Sequence, residues 1–129
     1  MLKSGILNPH VNSLLSRVRH TNTLIVADRG FPFWPEIETV DLSLVDDIPR
    51  VLDVIYAIRR NFAVGRFLMA EEFRLRNTPA VIQQFAEAMA SVEVTYVSHA
   101  EFKKRVPHVI GLIRTGDTTD FANVILESA

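Results

Sequence analysis

Hydrophobic positions along this chain switch between two spacings, and the switches mark out its elements. Val11, Leu14, Leu15 and Val18 recur every three or four residues, the period of a helix with one buried stripe. Asn8 precedes them as a candidate N-cap, and Pro9 suits the first helical position, where a backbone N–H is not needed. Leu24 to Ala27 are uninterruptedly apolar, as in a strand covered on both faces. Glu36 to Val40, ending at Asp41, predicts a second short strand. Pro49 then starts a helix with Val51, Val54, Ile55 and Ile58 inward and Asp47 as its candidate cap. Phe67 to Ala70 is the next strand, closed by Glu71 and Glu72, before Thr78-Pro79 opens a helix with Val81, Ile82, Phe85, Ala86 and Met89 inward. Val92 to Val97 supplies a further strand. Ser98-His99-Ala100-Glu101 has capping-box spacing and begins a helix bearing Phe102 and Val106. Val109 to Ile113 is a strand, Arg114 to Asp120 a polar loop, and Asn123 to Leu126 a terminal strand.

Strands alternating with helical segments predict an α/β fold, a three-layer α/β/α arrangement around a mostly parallel central sheet. In such a sheet the polar residues that end the strands gather on one edge. Here they are Asp28, Glu71-Glu72, Ser98-His99 and Arg114 to Gly116. The need for polar residues where a strand reaches solvent is enough to explain Glu71 and Arg114. At 129 residues the chain predicts one domain, 1–129, with one core. Fourteen basic and fifteen acidic residues are interspersed, for a net charge of −1, so no field is evident that would draw nucleic acid or an anionic membrane. Cysteine is absent, which removes disulfides, thiolate metal ligands and a thiol nucleophile and suits a cytoplasmic setting. No apolar run approaches the roughly 20 residues of a membrane span, and no signal-peptide hydrophobic region opens the chain. With 48% hydrophobic residues in so short a chain, self-association is expected to cover some apolar surface.

The candidate chemistry centres on the 24–27 strand, which His20 and Asp28 bracket. A carboxylate at a strand's carboxyl end, with an imidazole able to move protons near neutral pH, reads as a proton-transfer and hydroxyl-binding pair. Each residue also has a plainer reading. His20 suits the C-terminal end of the first helix, Asp28 could cap the Gly30 turn, and His99 could be a solvated helix-start residue. Asn123 could serve ordinary turn chemistry.

Seven blocks run in order from residue 4 to residue 126: Ser4-Gly-Ile-Leu-Asn8, His20-Thr21, Ala27-Asp28-x-Gly30-x-Pro32, Asp41-Leu-Ser-Leu44, Ser98-His99-x-Glu101-Phe-Lys103, Ile113-Arg-Thr-Gly116 and Ala122-Asn123-x-Ile125-Leu126. Together they resemble the D-ribose pyranase/L-fucose mutarotase family (RbsD/FucU), and the length and opening block look more like its ribose branch. The resemblance implies an enzyme without cofactor or metal that interconverts ring forms of a monosaccharide. It also implies a homo-oligomer, a decamer of stacked pentameric rings. By motif match His20 takes the proton-donor role, Asp28 binds sugar hydroxyls, His99 contacts the sugar, and Phe121-Ala122-Asn123 forms the C-terminal substrate-binding segment. Lys103 matches a lysine of the same block. Phe121 stands where the family usually has tyrosine, and Arg29, Phe31, Phe33 and Trp34 make the loop after Asp28 bulkier than is usual in the ribose branch. The tyrosine's absence keeps a second reading open, a non-catalytic sugar-binding or sensory protein.

Overall fold

The computed structural model describes residues 1–129. A six-stranded sheet of β1 (Thr23–Ala27), β2 (Thr39–Asp41), β3 (Val64–Ala70), β4 (Glu93–Val97), β5 (Gly111–Arg114) and β6 (Val124–Ser128) has the order β2-β5-β1-β6-β3-β4. Five strands run the same way. The exception is β6, which is inserted antiparallel between β1 and β3, with Ile25 opposite Ile125 and Leu68 opposite Ile125 on its other side. The sheet is therefore mostly parallel, as the alternation predicted.

Side-chain alternation divides the sheet into two faces. Leu24, Val26, Phe67, Met69, Ile113, Val124 and Leu126 meet helices α1 (Pro9–Arg17), α2 (Val51–Arg59) and α4 (Pro79–Ala88) in the larger core. Ile25, Ala27, Leu68, Leu112 and Ile125 face the other way and meet Phe102 of α5 (His99–Arg105) and Val106 in the smaller one. Helices thus cover both faces, giving the three expected layers.

The caps explain most helix starts. Asn8 accepts from the N–H groups of His10 and Val11 at 2.9 and 3.0 Å, Thr78 accepts from Val81, and Ser98 from Glu101. Four expectations need correction. Asp47 does not cap α2, which begins at Val51. Its carboxylate instead accepts from the N–H and hydroxyl of Thr118, and the Val51 N–H donates to Asp117 at 2.9 Å. Glu71-Glu72 do not merely end a strand but start a six-residue helix, α3 (Glu71–Arg76), whose acidic first turn and basic last turn complement the helix dipole. The second strand is confined to 39–41, because the chain turns at Trp34, whose carbonyl accepts from the Ile37 N–H at 3.0 Å. Ala86 is exposed, and Ala88 takes the inward position on α4.

Candidate functional site

The carboxyl end of β1 opens into a cavity of about 410 Å³. Its walls are the 28–32 loop, the first turn of α5 and the 117–123 segment, which contribute Asp28, His99, Lys103, Phe121 and Asn123. Five of the seven expected site residues are therefore brought together by one chain.

Asp28 is tied on both sides. Its N–H donates to the Asn123 side-chain oxygen at 2.8 Å, and its own carboxylate accepts from the Gly30 N–H at 3.0 Å. The turn-capping reading of Asp28 is thus realised within the cavity wall. Burial pushes the carboxyl of Asp28 above the usual aspartate range, and the nearby charge of Asp117 adds to that push. The N–H groups of Gly30 and Phe31 and the amide of Asn123 act against it by favouring the carboxylate. Asn123 is itself buried, so its amide is fixed by the strand it precedes.

His99 is held through its backbone, whose N–H donates to both oxygens of Glu72 at 2.8 and 3.2 Å. Its ring lies parallel to that of Phe102 at 6.4 Å and edge-on to Phe121 at 5.1 Å. Phe121 reaches that position from left-handed backbone (φ 54°), uncommon for a bulky residue. It contributes an apolar, hydroxyl-free wall. Ala122, between the two lining residues Phe121 and Asn123, is buried in the larger core and does not line the cavity.

His20 is elsewhere. It is exposed in the turn that precedes β1, so the length of that strand, about 13 Å at 3.3 Å per residue, separates it from the Asp28 end. His20 and Asp28 bracket β1 in sequence without meeting in one chain. The turn is well made. Asn22 accepts from the Arg19 N–H and donates its own N–H to the Arg19 carbonyl, while Thr21 adopts φ 66° and donates to the Ser128 carbonyl. A β-branched residue in left-handed backbone needs such support, and it aims the imidazole of His20 outward.

The sequence assigns no site role to several groups that form or brace the wall. Asp117 and Thr118 to Asp120 lay in a segment read as a polar loop, although Asp117 is 2% exposed. Arg29 lines the cavity while paired to Asp46 at 2.7 Å. Glu72 and Asn77 support the walls from behind, Asn77 donating to the Asp120 carbonyl at 2.8 Å. Arg114, explained from sequence as a strand end meeting solvent, pins the 28–32 loop by donating to the Arg29 carbonyl and to Asp41. No group of three or more His, Asp or Glu side chains is arranged to hold a metal ion, and no helix is long and apolar enough to cross a membrane.

A family model described as the RbsD / FucU transport protein family matches residues 1–129. The D-ribose pyranase of Geobacillus thermodenitrificans is 38% identical over 128 residues, covering 99% of this chain and 96% of the relative. That of Clostridium perfringens is 32% identical, covering 99% and 97%. Among solved structures, Bacillus subtilis RbsD complexed with D-ribose superposes with a TM-score of 0.92 at 31% identity, covering 100% of this chain and 98% of that one. The fucose mutarotase of Streptococcus pneumoniae in complex with L-fucose shares the fold with a TM-score of 0.81 at 15% identity.

Proposed function

The chain belongs to the RbsD / FucU family, and from that premise we propose that it is an isomerase interconverting ring forms or anomers of a monosaccharide such as D-ribose or L-fucose. The observation that carries this reading is the convergence of Asp28, His99, Lys103, Phe121 and Asn123 on one cavity in a chain 38% identical to a D-ribose pyranase.

The chemistry needs only proton movement. Ring opening takes the proton from the anomeric hydroxyl and delivers one to the ring oxygen as its bond to the anomeric carbon breaks, leaving an open-chain aldehyde. Closure reverses both transfers, and attack by a different hydroxyl or on the other face yields the new form. Asp28 accepts hydrogen bonds from sugar hydroxyls in its ionised form. His99 and the Asn123 amide offer donor and acceptor atoms, Lys103 offers a donor, and Phe121 offers a ring face or edge. His20 is the proton donor. Because β1 separates it from the cavity of its own chain, His20 of the partner subunit completes the site. Exposed Phe33, Leu44, Val45, Ile48 and Leu75 supply apolar surface for such an assembly, read as a decamer of stacked pentameric rings, and cytoplasmic residence belongs to the same reading.

Saturation-transfer NMR on D-ribose, L-fucose and related sugars tests the activity. Exchange between ring forms faster than the spontaneous rate is expected for at least one of them, and binding without acceleration would reject catalysis. Light scattering giving a mass near that of one chain would reject the shared site.

A further inference from the structure

The most deeply buried charged side chain in the cavity wall has no place in the proton traffic of ring opening. Asp117 is 2% exposed, and one carboxylate oxygen accepts from the Val51 N–H at 2.9 Å while the other accepts from the Thr119 N–H at 2.8 Å. Val51 is the first residue of α2, a nine-residue helix, so the charge sits on the positive end of that helix's dipole. The backbone of Asp117 is engaged as well. Its N–H donates to the Thr115 hydroxyl, and its carbonyl accepts from the Arg29 N–H at 3.0 Å. Thr115 donates in turn, through both its N–H and its hydroxyl, to the carbonyl of Ala27, the last residue of β1. Next to it, Gly116 passes so close to the Val45 carbonyl that any Cβ there would overlap it, so the 115–119 segment lies tight against the backbone of Val45 and Ile48. One buried carboxylate thus ties together the end of β1, the start of α2 and the loop that leads to Phe121 and Asn123.

We propose that Asp117 is a positioning residue for the ring-opening reaction: it fixes the 115–120 wall of the sugar cavity and sets a second negative charge behind Asp28. The proposal rests on the isomerase reading of the site. Hydrogen bonding alone does not account for a charged group here, since a neutral loop could satisfy two N–H groups with carbonyls and avoid the cost of burying a carboxylate. The charge matches the positive end of the α2 dipole, and it adds a minor share to the upward push on Asp28 that burial dominates. The other charged or titratable groups that line the cavity with Asp28 are Arg29, Lys103, His99 and Asp120. Arg29 is paired with Asp46. Asp117 therefore adds to burial in moving the acid limb of sugar binding upward in pH.

Asp117→Asn is the direct test, with exchange and sugar affinity followed as a function of pH. Wild-type exchange serves as the control: if the wild type does not accelerate any sugar, the isomerase reading fails first and the variant is not at issue. Given an active wild type, a folded Asp117→Asn should lose about tenfold to a hundredfold in exchange rate through misplaced contacts. Its acid limb should move to lower pH, because Asp28 no longer faces the second charge. Unchanged exchange overturns the proposal, and so does reduced exchange with an unmoved acid limb. If Asp117→Asn does not fold, Val51→Pro removes the donated N–H while keeping the charge. Proline suits the first helical position, and Arg50 already has the extended backbone (φ −89°, ψ 163°) that proline demands of its predecessor. Val51→Pro should slow exchange at an unmoved acid limb, and wild-type exchange in that variant would overturn the positioning role.

Discussion

At its Asp28 end β1 runs into a mesh of hydrogen bonds from Asn123, Gly30, Thr115 and Arg114, whereas at its His20 end it emerges from a short turn that leaves an imidazole in solvent. The first end is built like a binding site formed in advance, with each wall braced by a residue behind it: Glu72 behind His99, Asn77 behind Asp120, and Asp117, through its carbonyl, behind the Arg29 N–H of the 28–32 loop. The second end is built like a presentation device, in which Asn22 and the left-handed Thr21 shape the turn but nothing in the same chain receives the histidine. On the proposed roles, recognition and proton delivery are separated within one chain. Changes at the two ends should therefore fail in different ways.

The largest effect is expected at the exposed end. His20→Ala should lower ring exchange by roughly 10²- to 10⁴-fold, the range of a general acid or base, while its melting temperature stays within a degree or two, because an exposed turn residue buries little. Exchange NMR alongside a thermal melt checks both halves, and a folded variant that exchanges sugar at the wild-type rate would remove His20 from the chemistry.

Asp28→Asn should show the converse pattern. Charge-assisted hydrogen bonds are worth about 1.5–3 kcal/mol, so calorimetry should find affinity for the bound sugar reduced by roughly tenfold to a hundredfold. Stability should move the other way. The folded carboxyl titrates above its unfolded range, so its stabilising contribution is complete below the ordinary aspartate range and is lost as pH rises through the raised folded value. At neutral pH the wild type has lost that contribution. Asp28→Asn cannot lose it, and melts across this window should show the variant gaining on the wild type as pH rises. A variant that instead falls behind the wild type with rising pH would contradict the burial of Asp28 as the cause.

The smallest effect is expected at the apolar wall. Phe121→Tyr adds one hydroxyl beside His99, and a single neutral hydrogen bond of about 0.5–1.5 kcal/mol should change the preference among sugars by only a few-fold without altering the fold. Competition NMR with ribose and fucose measures it, and identical preferences would place position 121 outside the contacts that choose the sugar.

Much of this arrangement is written in local spacing. The strand cores at 24–27 and 67–70, the helix faces of Val51 to Ile58 and the Asn8, Thr78 and Ser98 caps depend on neighbours within a few residues, so pattern alone finds them. The layering follows from the alternation along β1 and β3. What pattern cannot find is long-range. The antiparallel insertion of β6 depends on pairing with strands nearly a hundred and about sixty residues away, and the cap of α2 comes from Asp117, 66 residues downstream, rather than from nearby Asp47. α3 escapes because Phe73 is its single buried residue, too little to set up a period. The site was legible in the same proportion. Asp28, His99, Lys103, Phe121 and Asn123 line one cavity, but the distance from His20 to that cavity is a property of the folded strand.

The division of labour between the two ends of β1 can be tested in one mixture. His20→Ala chains, nearly inactive in exchange, and Asp28→Asn chains, nearly inactive at sugar concentrations well below their weakened Kd, are unfolded together, reassembled in equal amounts and assayed at such a concentration. If Asp28 of one copy works with His20 of the partner subunit, random assembly restores about a quarter of the sites with both residues intact, and exchange should rise to roughly that fraction of the wild-type rate. If mixed assemblies form, shown by mass spectrometry of the intact oligomer, and exchange stays at the level of the single variants, then the two residues do not share a site across copies, and recognition and proton delivery are not divided between subunits.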